Sequence, residues 1–501
     1  MQFLEISDWC VIVVYLVAIV TLGISMGKGQ KGARDYFLGG RNIPWWGVGL
    51  SILATETSAL TFIGVPALAY GGTNLTFIQI VIGYVLARVV LTIWIAPSYF
   101  RGEIYSPYAL IDQTFGTGGR LTAGAFFLIA GTLAAGVRVY VTCIPIQLML
   151  GLSESGIIWA ILLFVGLSLI YTCVGGLKAV VWTDAIQFGL FFIGGFFVVL
   201  YLPGLYGSGG ELLQDSMDAG KWEWFHGEFS LSMPFNIWMG VFGAIFLTMS
   251  THGADQLIVQ RVLACRDLKE GRKALILSAV LILPLMLLFL IIGILLWTFY
   301  QKFPEMKIAV PEIRPGVKKA DYIFPIFILS ELPSGIKGFL VVGIISAAMS
   351  SVSSALSALA SVSTMDFYQR WFNSRQDDAS QLKFSRVSTL VWAVLLIGVA
   401  WWTKSQPTVL NVAFSLSGLT AGGLLGGLVL SLLFRGKQRP AWPLMIGMIL
   451  SLIVVFCVKT YAGDFIAWPW FTLIGLVTTM LVCMGGMLVS GQRFRSVVNP
   501  P

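Results

Sequence analysis

The chain has 501 residues, 57% of them apolar and only 11% charged, whereas a soluble domain carries about 25% charged residues, so a soluble globular protein is excluded. Lys and Arg number 32 against 24 Asp and Glu, a net charge of +8; in so apolar a chain that excess belongs to membrane-flanking loops, and no basic tract addresses nucleic acid. The six cysteines lie apart, at positions 10, 143, 173, 265, 457 and 483, without the paired spacing of a zinc site or a disulfide framework.

A helix needs about 20 apolar residues to cross the bilayer core. By that measure about 13 stretches qualify, in chain order 9–27, 46–70, 75–100, 120–150, 157–173, 178–203, 235–250, 272–300, 335–362, 386–403, 408–434, 440–460 and 467–490. The first is expected to stay as a helix rather than be cleaved as a leader, because Met1 to Asp8 holds Glu5 and Asp8 and no Lys or Arg. The chain reads as one all-α integral membrane domain.

Positive charge sets the orientation. Lys28, Lys31, Arg34 and Arg41 follow span one, and with about 13 spans Arg435, Lys437, Arg439, Arg493 and Arg495 fall on the same, inner side. The N-terminus is expected outside and the C-terminus in the cytoplasm. The acidic loop from Gly204 to Pro234 suits an outside position, whereas residues 301–322 carry five Lys or Arg on that same outer side.

Two spans read as broken. Span two is interrupted by Ala54-Thr55-Glu56-Thr57-Ser58, where an uncompensated charge costs about 2.5 to 3.5 kcal/mol. Span seven is short and ends in Thr248-Met249-Ser250-Thr251-His252-Gly253. An odd number of crossings separates them, so they run in opposite directions, as the halves of an inverted repeat do. Residues 46–203 and 235–434 are therefore expected as two five-helix halves, with 9–27 as an extra first helix and 440–490 as two extra helices at the end.

The densest polar cluster is Ser350, Ser351, Ser353 and Ser354 in span nine, where steps of about 100° put Ser350, Ser353 and Ser354 on one face with Ser351 beside them. Hard cations take oxygen ligands, and these hydroxyls facing carbonyls freed around Ala54 and Thr57 suit sodium. Back-bonding of the serines to the preceding turn is the structural alternative. The charged groups inside the spans are Glu56, Arg88, Arg138 and Asp184, each a functional candidate. Asp184 reads either as the carboxylate of a second cation beside Ser353 and Ser354 or as the partner of an internal arginine. Arg138 either holds a substrate carboxylate bidentately or pairs with Glu56. Arg88 is expected to snorkel or to pair within the protein, and His252 to be a satisfied polar residue at a helix break.

Enzyme signatures are missing: no phosphate-binding Walker loop, no GxSxG elbow, no HExxH, and two histidines in all. An ATP-driven pump is excluded on this chain alone. Passive or ion-coupled solute movement is what the composition leaves.

Four runs carry a resemblance: Asp35-Tyr36-Phe37-Leu38-Gly39-Gly40-Arg41, Gly175 through Gln187, Asp255-Gln256 through Val259-Gln260-Arg261, and the serine cluster. In their order and over nearly the whole chain they resemble the solute:sodium symporter family, which includes sodium-coupled sugar, sialic acid, iodide and proline transporters. The resemblance implies a LeuT-like core and alternating access. It also implies a first sodium on the carbonyls of Ala54, Thr57 and Ala347 and the hydroxyls of Ser350 and Ser351, and a second near Asp184, Ser353 and Ser354, with Ser350 shared. At the positions where sugar-binding members hold their polar ligands this chain has Thr61, Val81, Thr248, Thr251 and Phe414, which disfavours a hexose. The sialic acid branch matches at Arg138, Ser58 and Thr61 but departs at Val81, and Glu56 departs from the relatives compared.

The expectation is a sodium-coupled symporter importing a small polar solute, a carboxylate or sialic-acid-like anion, with Na+ as coupling ion, one or two per cycle. Its solute cavity is expected among Glu56, Ser58, Thr61, Gln79, Arg138, Thr248, Thr251 and His252. It is expected to work as a monomer in the plasma membrane, the inner membrane of a bacterium, because the loops are short and no large domain is appended. The rivals are a proton-coupled symporter using Glu56 or Asp184, a transporter-like sensor and a channel.

Overall fold

A computed structural model of the chain describes residues 4–153, 156–307, 312–314, 317–318, 320–371, 378–403 and 409–490. Helices dominate, because in lipid every backbone amide and carbonyl must be satisfied within the protein. Among the described residues the exception is a hairpin of β1 (Glu312–Arg314) and β2 (Val317–Lys318).

The first half runs α1 (Ile6–Met26), α2 (Ala33–Leu38), α3 (Trp45–Glu56), α4 (Ala59–Leu68), α5 (Ile78–Val90), α6 (Ala96–Tyr99), α7 (Tyr108–Met149) and α8 (Ile157–Tyr206). A π-helical turn, Leu91–Ile95, joins α5 to α6. The 50 residues of α8 amount to about 75 Å of helix, more than twice the ~30 Å hydrocarbon core. It breaks at Gly176, at φ 58° and ψ −156°. A Cβ at that position would stand 2.5 Å from the Tyr36 carbonyl oxygen, so both the backbone angles and the space demand glycine. The stretches 157–173 and 178–203 form the two arms on either side.

The second half begins with α9 (Gly209–Asp218) and a π-helical segment, Met239–Ala244, leading into α10 (Ile245–Gly253). Then come α11 (Gln256–Leu263), α12 (Leu268–Lys302), α13 (Ile323–Glu331), α14 (Ile336–Val362), α15 (Gln369–Trp371), α16 (Asp378–Thr403), α17 (Val409–Leu433), α18 (Ala441–Ala462) and α19 (Trp470–Val489). Asp255 starts α11 by accepting the Leu257 amide at 2.8 Å. Among the described residues nine helices are long and apolar enough to cross a membrane, or ten if α3 and α4 count as one bent span.

At the centre stands α14, buried along almost its whole length and packed on α8, α7, α1, α16, α3 and α4. Its start is fixed from outside by Asp8 of α1: Oδ1 accepts the Gly335 and Gly338 amides at 2.7 and 2.8 Å, and Oδ2 accepts the Glu5 amide at 2.9 Å. Lipid supplies little hydrophobic drive between helices, so close approach depends on small residues. Gly83 of α5 and Gly240 show this: a Cβ on Gly83 would meet the Gly240 carbonyl oxygen at 2.1 Å.

Candidate functional site

The chain breaks between α3 and α4, with a 60° bend between Trp45–Glu56 and Thr61–Thr73. Thr57 leaves helical geometry at φ −83° and ψ 72°. The Ser58 amide, which in a continuous helix would close on the Ala54 carbonyl, bonds the Glu56 carbonyl at 3.0 Å, so Ala54 loses its helical donor. The Thr57 hydroxyl is buried and has no hydrogen-bond partner among the described residues. Both α3 and α4 pack on α14, the helix that carries Ala347, Ser350 and Ser351, all buried. Ser351 Oγ donates to the Ala347 carbonyl at 3.0 Å and Ser353 Oγ to the Ser350 carbonyl at 3.1 Å, the back-bonding geometry; Ser350 Oγ instead donates to Asp184 Oδ1 at 2.7 Å. A freed carbonyl and an orphaned hydroxyl opposite serines make an oxygen set that suits a hard cation.

Asp184 is fully buried, and its second oxygen is heavily engaged. Oδ2 accepts from Ser51 Oγ at 2.6 Å, Arg261 Nη2 at 3.0 Å and Thr55 Oγ1 at 3.4 Å. The same Arg261 nitrogen donates to Ser354 Oγ at 2.5 Å, and its Nε to Ser51 Oγ at 2.8 Å. A guanidinium thus lies between Asp184 and Ser354, where the resemblance implied a second sodium. Ser51, Thr55 and Arg261 were given no role by the sequence; the first two are hydroxyls one turn apart on the broken span, a usable signal, whereas Arg261 lies 77 residues from its partner.

The second carboxylate differs from expectation. Glu56 pairs with Arg88, not Arg138. Arg88 Nη2 also donates to His252 Nε2 at 3.0 Å, and Nη1 to the Tyr84 carbonyl at 3.0 Å. With Nε2 accepting, the ring proton sits on Nδ1 and donates to Thr251 Oγ1 at 3.0 Å. Arg88 therefore pairs inside the protein, tying α3 to α5 and α10.

Arg138, on α7, is half-buried, and among the described residues it makes no ion pair or hydrogen bond. Ser58 starts α4 with no capping bond from its side chain, and Thr61 donates to the Glu56 carbonyl at 3.2 Å. Thr248 and Val81 are buried, and Thr251 donates to the Thr248 carbonyl at 3.4 Å. Gln79 departs from its expected role: its amide nitrogen donates to the Thr76 and Phe235 carbonyls, both at 3.2 Å, and its oxygen accepts the His226 amide at 3.1 Å. Both ends are spent on backbone, holding the loop before α10. The side chain of Phe414 lies outside the described residues.

A family model, the sodium:solute symporter family, matches residues 36–450. The sodium/sialic acid symporter of Proteus mirabilis is 29% identical over 496 residues, 96% of this chain and 94% of that protein. That of Aliivibrio fischeri is 28% identical over 97% of this chain and 93% of its own length. A solved structure, the substrate-bound outward-open state of a sodium-coupled sialic acid symporter in which a novel sodium site was found, superposes with a TM-score of 0.85 at 27% identity, covering 98% of this chain and 99% of that one. A nucleobase-cation-symport-1 transporter in a closed conformation shares the fold at a TM-score of 0.56 and 16% identity over 92% of this chain and 95% of that one. The chain belongs to the sodium:solute symporter family, as a multi-pass membrane transporter that couples solute movement to sodium and is not an enzyme.

Proposed function

We propose that the protein imports a small organic carboxylate, of the sialic-acid-like kind, together with sodium by alternating access. The observation that carries the substrate class is Arg138, a half-buried guanidinium that feels the charge of Asp255 but makes no hydrogen bond or close ion pair among the described residues. An unpaired charge at membrane depth is costly and marks a ligand path, and a carboxylate meets a guanidinium bidentately. Glu56 does not repel such an anion, because Arg88 already neutralises it.

In this reading sodium binds the Ala54, Thr57 and Ala347 carbonyls and the Ser350 and Ser351 hydroxyls, with the orphaned Thr57 hydroxyl as a further oxygen in reach. Binding ties α3 and α4 to α14 and raises solute affinity by linkage. One sodium crossing about 100 mV contributes ~2.3 kcal/mol, roughly 50-fold accumulation at ~1.4 kcal/mol per decade. The proton-coupled rival is weakened, because both of its carriers are engaged: protonating Glu56 or Asp184 would strand Arg88 or Arg261, at several kcal/mol for a buried charge.

The span count follows the same reading. To the nine helices we add α3 with α4, the second arm of α8, Met239–Gly253 and α17 for thirteen; an odd count puts the termini on opposite sides, and the positive charge after span one assigns the N-terminus to the outside. Thermal stability of the purified protein with sialic acids, monocarboxylates, sugars and amino acids, each in sodium and in choline, tests the proposal, since a bound ligand stabilises by mass action. A carboxylate shift that needs sodium and is lost in Arg138→Gln is expected. A shift with neutral sugars alone would overturn the anion reading.

A further inference from the structure

A cavity of about 970 Å³ opens at the end of the bundle where α3 and α12 begin, and none of the residues lining it belongs to the solute or sodium sites. Its rim is basic and its wall apolar. Lys269, Arg272, Lys273, Ile276 and Val280 of α12 line it, all of them exposed, with Trp45 at the start of α3 opposite. Spacings of three and four residues put these five on one helix face. The face changes character along its length, cationic in the opening turns and apolar beyond, with Ile276 39% and Val280 62% exposed.

The charges do not cancel locally. Asp267 is spent as the cap of α12, accepting the Glu270 amide at 2.9 Å, and Glu270 pairs with Lys273 at 2.8 Å. Lys273 also lies 5.6 Å from the Trp45 ring centroid, within cation–π range. Lys269 and Arg272 are left without a carboxylate partner among the described residues. Arg272 is nonetheless held in place, because its Nε donates to the Thr92 carbonyl at 3.0 Å while its terminal nitrogens stay available.

We infer that this groove binds an anionic glycerophospholipid, its phosphate on Lys269 and Arg272 and its acyl chain running past Trp45 along Ile276 and Val280. Basic pockets between membrane helices select acidic headgroups. From Lys269 to Val280 the helix rises about 16 Å, which matches the ~15 Å of one leaflet. A free phosphate would use the cations but not the wall. The basic loop of Lys28, Lys31, Arg34 and Arg41 precedes α3 at this same end, where the positive-inside bias and anionic lipid coincide.

The test uses the full-length protein in nanodiscs of phosphatidylcholine with or without phosphatidylglycerol, and in a third arm phosphatidylcholine with inorganic phosphate. Thermal stability and the lipid retained in native mass spectrometry are read for the wild type, for Lys269→Gln, and for Lys269→Gln with Arg272→Gln. Phosphatidylglycerol is expected to stabilise the wild type and to be retained, and each lost charge to weaken retention about 5-fold, the ~1 kcal/mol of a basic residue at an anionic surface. The single variant keeps the test open should loss of the Arg272 bond to Thr92 impair folding. Equal stabilisation by pure phosphatidylcholine, retention unchanged in Lys269→Gln, or the whole effect reproduced by phosphate alone would each overturn the proposal.

Discussion

Two oxygen clusters share serines of α14 beside the broken α3–α4 segment, and they differ in what completes them. Around Thr57 a hydroxyl is buried with no partner among the described residues. Around Asp184 every donor is matched, with Arg261 supplying the positive charge to Asp184 and Ser354 together. An oxygen left bare in a buried site costs about 1 to 3 kcal/mol unless something fills it, whereas a carboxylate already holding a guanidinium asks for nothing more. In the proposed reading the first cluster takes the exchangeable sodium, whereas the second already holds a guanidinium. Ser350 belongs to both, since it lies beside Ser351 yet donates to Asp184 at 2.7 Å, so the permanent network positions the exchangeable one.

The largest effect is expected at Arg261, the cation of the second cluster. Arg261→Met leaves Asp184 buried and unpaired, and is expected to lower stability by about 3 to 5 kcal/mol; chemical denaturation in detergent measures it. The double variant Asp184→Asn with Arg261→Met is expected to recover most of that loss, and failure to recover would mean that Arg261 is held by something other than charge pairing. Next comes Arg138→Gln, for which the solute KM is expected to rise about 10- to 100-fold, the ~1.5 to 3 kcal/mol of a hydrogen bond to a charged group. Half-saturation by sodium, measured at saturating solute so that linkage does not shift it, should stay unchanged.

A smaller effect with a telling sign belongs to Thr57→Val. In choline the variant is expected to be more stable than the wild type, because an unsatisfied buried hydroxyl is removed. In sodium it is expected to need about 2- to 10-fold more ion for half-saturation, a net ~0.5 to 1.5 kcal/mol. Melting curves in the two salts, with sodium titrations of uptake, read both signs. The least effect on transport is expected from Gln79→Leu: a loss of about 1 to 2 kcal/mol of stability as the loop before α10 loosens, with the solute KM unmoved.

The length of apolar stretches matched some spans closely, as in α14 at Ile336–Val362 against 335–362 and α18 at Ala441–Ala462 against 440–460, and missed the polar starts of others, α7 beginning at Tyr108 against 120 and α16 at Asp378 against 386. The reason is that lipid penalises each polar residue locally. At Ala54 to Ser58 the signal was a charge in mid-span, and α3 ends there at Glu56. Partners were not legible: Glu56 and Arg88 are 32 residues apart, Arg88 and His252 are 164 apart, and nothing local to Glu56 distinguishes Arg88 from Arg138. Gln79 misled for a related reason, since its partners are backbone groups of a distant loop, and backbone carries no sequence signal.

In the proposed mechanism sodium binds between the broken span and α14. The most direct measurement is sodium activation of solute uptake by Ser351→Ala beside the wild type, with membrane insertion checked for both. Sodium stimulation lost, or its half-saturation raised at least about 10-fold as expected for a charge-assisted contact, is the predicted result. An unchanged activation curve in a fully inserted protein would contradict the site.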